Sequence, residues 1–252
     1  MIAALLATLV LLGGCVSTTE RVFTEEASPK KALETRVSLA RRYISDGNWE
    51  DAKRNLELAR EIDPVSADVH EAFGLLYQRT GELELAEESF ESSISLDRNC
   101  SRCRNNYAAF LYSQERYAEA EKQLERVVKD SLYSGRPLAF VNLGLCRRQL
   151  LDAQGAEEAF VRALSMDRSN RIALLELAQI RFEAGDVARA NEYYTRYRSL
   201  VRKQSAAGLW LGIRLARKTG DQDAEASYQL ALGSLYPDSA EFRAYQRIEQ
   251  SE

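Results

Sequence analysis

The sequence predicts an all-α fold: a right-handed superhelical solenoid of about six helix pairs, closed by a C-terminal capping helix. Three observations lead to this fold class. Small and large residues recur along the chain with a period close to 34 residues, as in a stacked repeat array. Within each period, apolar residues recur at three- and four-residue steps, as on an amphipathic helix. Only 4 of the 252 residues are Pro and 13 are Gly, so residues that break helices are scarce.

The composition argues against several classes of function. With 34 basic and 38 acidic residues, the chain has a formal net charge of −4, whereas a nucleic-acid binder usually carries a basic surface. It contains a single histidine, His70, although histidine is common in metal sites and in acid–base catalysis. The sequence has neither a phosphate-binding glycine loop nor a serine-hydrolase motif. It therefore predicts a protein without a metal, a cofactor or a small-molecule substrate.

The first 32 residues are interpreted as a targeting and anchoring segment that precedes the folded repeats. Ile2 to Leu12 form an apolar run of 11 residues, which is too short to span a bilayer and is typical of a secretory signal. The run ends in Leu-Gly-Gly-Cys at residues 12–15, which resembles a bacterial lipobox. Residues 1–14 are therefore predicted to be a lipoprotein signal peptide, and Cys15 to be the site of lipid attachment. Residues 15–32 are predicted to form a flexible tether.

The residues after Cys15 indicate where the lipid anchor leads. Val16 and Ser17 follow the cysteine, with no Asp at the position after it. By resemblance to sorted bacterial lipoproteins, this pattern implies attachment to the outer membrane, with the protein on the periplasmic face.

The body of the chain, residues 33–238, is interpreted as six repeats of two helices each. The second helix carries an alanine with a large residue four positions later, and the first helix carries a small residue twelve positions earlier. Small residues let the paired helices approach, and the large residue fills the space between them. The alanines are Ala52, Ala86, Ala120, Ala156, Ala190 and Ala224, and the small residues are Ala40, Gly74, Ala108, Gly144, Ala178 and Gly212. The predicted repeats are 33–66, 67–100, 101–134, 137–170, 171–204 and 205–238, and residues 239–252 are predicted to form the capping helix.

Glycines mark the turns between the two helices of several repeats. Gly47, Gly81, Gly185 and Gly220 lie where a left-handed residue is wanted after the first helix. The helix pairs, their period and these turns resemble the tetratricopeptide repeat. In such a solenoid, the first helix of each repeat lines a concave face.

The concave face is the predicted partner-binding groove. Its positions are more apolar than those of a solvated wall, and an exposed apolar groove is typical of a peptide or protein site. The alternative for each residue is packing beneath an adjacent helix. The predicted groove residues are Arg41, Ile44, Leu75, Gln78, Asn105, Ala109, Tyr112, Val141, Leu145, Arg148, Gln179 and Phe182. Arg41, Arg148, Asn105 and Asn106 are also candidates for holding a peptide backbone or an acidic group, and simple solvation is the alternative for them.

Cys100 and Cys103 form a CxxC at the junction of the second and third repeats. Three interpretations are open: a local disulfide or a pair of small packing residues, a redox-active dithiol, or half of a zinc site. The βαβ unit that usually surrounds a redox CxxC is missing, and only Cys146 and His70 could complete a zinc site. The sequence therefore favours the local disulfide or packing role, and Cys146 is predicted to be a packing residue.

Three segments narrow the family beyond the repeat: Asn105–Tyr112, Phe140–Leu145 and Leu209–Ala216. With the lipobox and the six repeats, they resemble the type IV pilus biogenesis lipoproteins of the PilF/PilW family over nearly the whole chain. The resemblance implies a pilotin, which is a lipid-anchored scaffold and not an enzyme. Such a protein localises the outer-membrane secretin of the type IV pilus and promotes its multimerisation, and pilus biogenesis and twitching motility depend on that step.

Two other functions stay open at this point. A periplasmic adaptor that docks peptidoglycan hydrolases would share the repeat scaffold and the lipid anchor but would bind a different partner. A thiol oxidoreductase would instead use Cys100 and Cys103 for catalysis.

Overall fold

The computed structural model describes residues 28–250, and all regular secondary structure in this part of the chain is α-helical. The helices are α1 (Pro29–Asp46), α2 (Trp49–Ile62), α3 (Ala67–Thr80), α4 (Leu83–Leu96), α5 (Ser101–Ser113), α6 (Tyr117–Val127), α7 (Arg136–Gln149), α8 (Ala153–Met166), α9 (Arg171–Glu183), α10 (Val187–Leu200), α11 (Ala206–Thr219), α12 (Gln222–Leu235) and α13 (Ala240–Glu249). The predicted signal peptide, Cys15 and residues 15–27 of the predicted tether lie outside the described residues.

Helix α1 begins earlier than the sequence predicts. The Ser28 side chain accepts a hydrogen bond from the backbone N–H of Lys31 at 3.2 Å, which caps the helix. Pro29 occupies the first position of the helix, where its missing N–H would have no partner in any case. Residues 29–32 are therefore helical and do not belong to the tether, because Pro29 starts a helix here.

The helices stack as six antiparallel pairs. Two or three residues join each odd-numbered helix from α1 to α11 to the even-numbered helix that follows, and each such pair packs together. Each even-numbered helix also packs against the next odd-numbered helix up to α11, so the pairs form a continuous array. The all-α repeat fold predicted from the sequence is confirmed.

The antiparallel order gives the array two distinct edges. One edge, here named the turn edge, contains the short turns from odd- to even-numbered helices. The other, here named the loop edge, contains the start of α1 and the connections from even- to odd-numbered helices, such as residues 97–100, 167–170 and 201–205.

Close approach within the pairs depends on the small residues. A Cβ atom on Gly74 would lie 2.8 Å from the Phe90 ring, and one on Gly144 would lie 2.6 Å from the Phe160 ring. Each of these phenylalanines is fully buried. Side chains at these two glycines would therefore force the rings out of the core.

Most of the turns use the predicted glycines. Gly47, Gly81, Gly185 and Gly220 have φ values of 76°, 87°, 79° and 75°. The glycines satisfy the left-handed geometry without the Cβ clash that other residues meet there. The two remaining turns place Glu115 (φ 60°) and Leu151 (φ 64°) in the same region.

The buried side chains form three clusters along the array. The first joins α1, α2 and α3, and the largest runs from α4 to α11. The third consists of Leu209, Ile213 and Leu232, with Phe242 and Tyr245 of α13 packed against it. Helix α13 thus covers the end of the solenoid, as the predicted capping helix should.

Candidate partner-binding groove

The groove is the concave face built by the odd-numbered helices. Besides packing against its own partner, α1 contacts α3, α3 contacts α5, α5 contacts α7, and α9 contacts α11. This direct contact makes the odd-numbered helices the inner layer of the curved array. Side chains on the inner layer form three sections, which follow one another from the N-terminal to the C-terminal end.

The N-terminal section is the Glu71 cluster, which consists of Arg41, Asp68, Glu71, Arg102 and Asn106. The Glu71 side chain is completely buried. Its Oε2 accepts from Arg41 Nε at 3.1 Å, from Arg41 Nη2 at 2.5 Å and from Arg102 Nη1 at 2.7 Å. Its Oε1 accepts from the Asn106 amide, and Arg102 also pairs with Asp68. A carboxylate without partners would be costly in this position, so the donors on α1 and α5 fix α3 between them.

The central section is an apolar notch between α5 and α7, here named the central notch and defined by Ala109, Tyr112 and Leu145. Ala109 is exposed, and the other two side chains are half-buried. They open onto a cavity of about 80 Å³, whose floor includes the buried Cys146. Edge contact with the Tyr117 ring, 5.1 Å away, orients the Tyr112 ring. The notch therefore offers a preformed apolar surface that an incoming side chain could fill.

Cys146 closes the notch from below. Its thiol is free and 1% exposed, and burial raises its pKa to about 12. A buried neutral thiol behaves as a small apolar group and is chemically inert. The predicted packing role of Cys146 is confirmed.

The C-terminal section is the Arg148–Arg214 network, which links α7, α9 and α11 through Arg148, Glu176, Gln179, Glu183 and Arg214. Arg148 Nη1 lies 2.7 Å from Glu183 Oε2, and its Nε lies 3.5 Å from Glu176. Gln179 donates to Glu183 at 2.6 Å and accepts from Arg214 Nη2 at 2.5 Å. This network orders three helices in the same way as the Glu71 cluster, but nearly half of the Glu183 side chain is exposed.

Aromatic rings support the last arginine of that network. The Arg214 guanidinium lies 4.8 Å from the Phe182 ring centroid and 5.3 Å from that of Trp210. Its Nε is buried without a hydrogen-bond partner, and burial lowers the pKa of the group. The ring faces partly compensate the buried cation.

The acids of the C-terminal section differ in their pKa. Burial opposes the ionisation of Glu183, but hydrogen bonds from Arg148 and Gln179 outweigh it and hold the Glu183 pKa below its usual value. Burial raises the pKa of Glu176, and the more distant Arg148 offsets this effect only in part.

Several predicted groove residues do not present a free surface. Ile44 and Val141 are buried in the core, so neither lines the groove. Asn105 is also buried, and its side-chain oxygen accepts from the Asn142 amide at 3.2 Å. At these positions the open alternative, packing beneath an adjacent helix, is correct. Leu75 and Gln78 lie on α3 and are half-buried.

The polar candidates for peptide binding are already engaged inside the molecule. Arg41 and Asn106 bind Glu71, and Arg148 binds Glu183. A partner would have to displace these carboxylates to reach them. The free surface of the groove is therefore more apolar than the sequence predicts, since Ala109, Tyr112, Leu145 and Phe182 supply most of it.

The sequence interpretation missed Glu71 and Arg102. The available signal was a single acid at the fifth position of a repeat, where the other repeats carry Val37, Asn105, Val141, Leu175 and Leu209. An isolated acid at an inward position requires partners from neighbouring repeats. Here those partners are Arg41 and Arg102.

The structure joins Cys100 and Cys103 by a disulfide, with Cα atoms 5.3 Å apart. Cys103 is fully buried, and Cys100 is half-buried. An Asp68 carboxylate oxygen lies within 4.8 Å of both sulfurs. A structural zinc site needs four ligands with the cysteines as thiolates, and this group supplies three ligand atoms, two of them bonded to each other. The pair therefore braces the start of α5 beside the Glu71 cluster.

The paired helices, small-residue contacts and inner groove define a protein of the tetratricopeptide-repeat class. Residues 67–100, 110–160 and 141–208 match families described as tetratricopeptide repeats.

Comparison with known proteins narrows this class. The chain is 36% identical to the type IV pilus assembly protein PilF of Pseudomonas aeruginosa over 236 residues, which cover 93% of each protein. A solved structure of Pseudomonas aeruginosa PilF matches with a TM-score of 0.83 and 37% identity, covering 87% of this chain and 98% of that one. PilW, described as a widely conserved type IV pilus biogenesis factor, matches with a TM-score of 0.74 and 26% identity, covering 86% and 99%. The chain belongs to the PilF family, and the resemblance stated from the sequence is confirmed.

Within residues 28–250, no helix combines the length and the apolarity that a bilayer span requires.

Proposed function

We propose that this chain is a lipid-anchored pilotin. On this proposal, Cys15 carries the lipid that holds the protein at the periplasmic face of the outer membrane. The repeat array acts in type IV pilus biogenesis by binding the secretin, guiding it to the membrane and promoting its multimerisation. Membership of the PilF family supports this role. The work of such a protein is binding and not catalysis, which is typical of tetratricopeptide-repeat scaffolds.

The central notch is the observation that carries the proposal. It is apolar, preformed and flanked on both sides by charge networks whose members already have partners. A rigid groove spends little conformational entropy when it orders a partner segment. We propose that an apolar side chain of a secretin segment enters the notch against Ala109, Tyr112 and Leu145.

The lipid anchor contributes through local concentration. A partner in the same membrane meets the groove at a higher effective concentration than a partner free in solution. Stable anchoring requires more than one acyl chain, which a mature bacterial lipoprotein supplies.

The first test compares heat-resistant secretin multimers in membranes of the parent, a deletion and the Cys15→Ser variant. We expect the deletion to lose multimers while secretin monomers persist. The Cys15→Ser protein is expected to be folded but absent from outer-membrane fractions. The amount of secretin multimer in that strain shows whether the anchor is needed to guide the secretin to the membrane, to assemble it, or for both. Normal multimers in all three strains would refute the pilotin proposal and favour another envelope partner, such as a peptidoglycan hydrolase.

The second test addresses the notch itself. Ala109→Glu places a charge at the notch without emptying the core, because Ala109 is exposed. The matched control is Ala188→Glu, which places the same charge at an exposed alanine of the outer helix α10. We expect capture of the secretin to fall at least tenfold for Ala109→Glu and to stay normal for Ala188→Glu. Equal capture by both variants would remove the notch from the binding site.

A further inference from the structure

The loop edge carries a patch of basic side chains that the groove does not use. This basic patch lies at the α8–α9 and α10–α11 connections and consists of Arg168, Arg171, Arg198, Arg202 and Lys203. All five side chains are exposed. Within residues 28–250, none of the five forms an ion pair with a carboxylate.

Asp167, the acid next to Arg168 in the sequence, does not neutralise the patch. Asp167 accepts hydrogen bonds from the Ser169 backbone N–H at 3.0 Å and from the Ser169 hydroxyl at 2.7 Å. These bonds lower the pKa of Asp167 and hold its carboxylate within its own turn. By contrast, Arg148 and Arg181 in the same half of the chain are paired with glutamates.

Aliphatic side chains are exposed among these cations. Ile172, Leu200 and Leu235 are 49%, 41% and 48% exposed. Two open clefts of about 370 and 340 Å³ flank the α10–α11 connection, and Val201 and Lys203 line both. Cations mixed with exposed aliphatic groups suit the headgroup level of a bilayer, where basic groups meet phosphates and aliphatic groups reach the acyl boundary.

The charge of the chain is divided between its halves. Residues 28–134 contain 16 basic and 20 acidic residues, whereas residues 135–250 contain 17 basic and 14 acidic residues. The acidic chain as a whole therefore presents a locally cationic surface at one place on its loop edge. An anionic surface would attract that place and repel much of the rest.

The position of the patch favours a lipid surface as its occupant. Helix α1 starts at Pro29 on the same loop edge, and the chain before it leads back to Cys15. Only 13 residues separate Cys15 from Pro29 in the sequence. The proposed anchor therefore keeps the start of α1, at one end of the loop edge, near the bilayer.

We propose that the basic patch binds the anionic headgroups of a phospholipid bilayer. This inference rests on the proposed lipid anchor for its orientation, although headgroup binding by the patch needs no acyl chain. Anchor and patch together would form two contacts with one membrane and fix the direction in which the groove faces.

The test uses the full chain from residue 15 with Cys15→Ser, so that no acyl chain contributes. Sedimentation with vesicles of phosphatidylethanolamine and phosphatidylglycerol measures anionic binding, and vesicles of phosphatidylcholine provide the neutral comparison. The patch variant combines Arg168→Glu, Arg171→Glu, Arg202→Glu and Lys203→Glu. The control variant combines Lys53→Glu, Arg79→Glu, Lys122→Glu and Lys218→Glu, which change the net charge equally at exposed positions away from the patch.

We expect the parent to bind anionic vesicles and to release them as salt rises. A basic residue near an anionic surface strengthens binding about fivefold, so the patch variant, which loses four of them, is expected to bind roughly 600-fold more weakly or worse. The control variant is expected to lose much less than the patch variant. Circular dichroism and the thermal midpoint check that both variants are folded.

Three results would overturn the inference. They are absence of parent binding to anionic vesicles, normal binding by the patch variant, and an equal loss in both variants. If the patch variant loses secretin capture in detergent but binds vesicles normally, the patch binds an acidic protein segment and not a lipid surface. Failure of the pilotin proposal is separate, since it is decided by secretin multimers in cells and not by vesicles.

Discussion

The two ends of the groove use the same interaction at different depths. In the Glu71 cluster, a fully buried carboxylate binds two arginines from neighbouring inner helices. In the Arg148–Arg214 network, the corresponding acid, Glu183, is nearly half exposed. An exposed ion pair is screened by water and contributes little, whereas a buried acid that loses its partners is costly. The comparison indicates that the Glu71 cluster holds its helices in one arrangement. The Arg148–Arg214 network, by contrast, can exchange its internal contacts for contacts with a partner.

The largest expected loss of stability comes from removing the buried Glu71 carboxylate. Glu71→Ala leaves Arg41 and Arg102 without their shared acceptor and opens the contact among α1, α3 and α5. We expect a loss of about 3 kcal/mol in the free energy of unfolding, at the lower end of the usual range because both arginines retain some solvent contact. Glu183→Ala is the matched change in the Arg148–Arg214 network and should cost less than about 1 kcal/mol. Urea unfolding of both variants measures the difference, and equal losses would contradict the comparison.

A second pair of variants removes one arginine from each end. Arg41→Met leaves the buried Glu71 carboxylate short of two hydrogen bonds and should cost about 2 kcal/mol. Arg214→Met loses its contacts with Phe182 and Trp210 but also removes a buried Nε that has no partner. We therefore expect a change within about 1 kcal/mol for Arg214→Met. Thermal and urea unfolding check both values, and a larger loss at Arg214 than at Arg41 would reverse the comparison of the two ends.

Substitutions in the turns between paired helices should change the free energy of unfolding by a smaller amount. Leu151 adopts φ 64° and is 90% exposed, in a position where four other turns carry glycine. Leu151→Gly relieves the left-handed strain and removes no buried contact, so we expect a gain of about 1 kcal/mol in the free energy of unfolding. Gly81→Ala is the opposite change, since Gly81 has φ 87° and open space around it. It should lose a similar amount, and a gain for Gly81→Ala would contradict this account.

The smallest expected effect is the pH dependence of stability that Glu176 contributes in the Arg148–Arg214 network. Because burial raises the folded-state pKa of Glu176, the folded state disfavours its charge. Its contribution to stability is therefore highest when it is protonated and falls as the pH rises through that raised pKa. We expect Glu176→Gln to be slightly more stable than the parent at pH 7 and indistinguishable from it at pH values well below the usual glutamate pKa. Thermal midpoints across this pH range test the sign.

Most of the fold was predictable from the sequence because it depends on residues that are close together in the chain. The recurring alanines and the small residues that face them depend on contacts within one helix pair, so their period alone marks the repeats. The glycine turns follow from backbone geometry at single positions. The left-handed conformation of Glu115 and Leu151 was not predictable in this way, because the array imposes it on residues that do not prefer it.

The groove was predictable only in part, because its chemistry depends on contacts between repeats. Ala109, Tyr112 and Leu145 meet at the notch as their spacing suggests. Ile44 and Val141 share that spacing but are covered by neighbouring helices. The partners of Glu71 come from residues about 30 positions before and after it, and a repeat period does not state which side chains meet across that distance.

The division of the core into three clusters has a consequence for how the array opens. In a one-dimensional stack, each pair depends on its neighbours, so unfolding starts at the ends and moves inward. The small last cluster should fray before the large one that runs from α4 to α11, whereas the Glu71 cluster ties the first cluster to α5. Amide hydrogens around the central notch should then exchange last. A bound segment would therefore contact the part of the molecule that unfolds last, even while the C-terminal end opens.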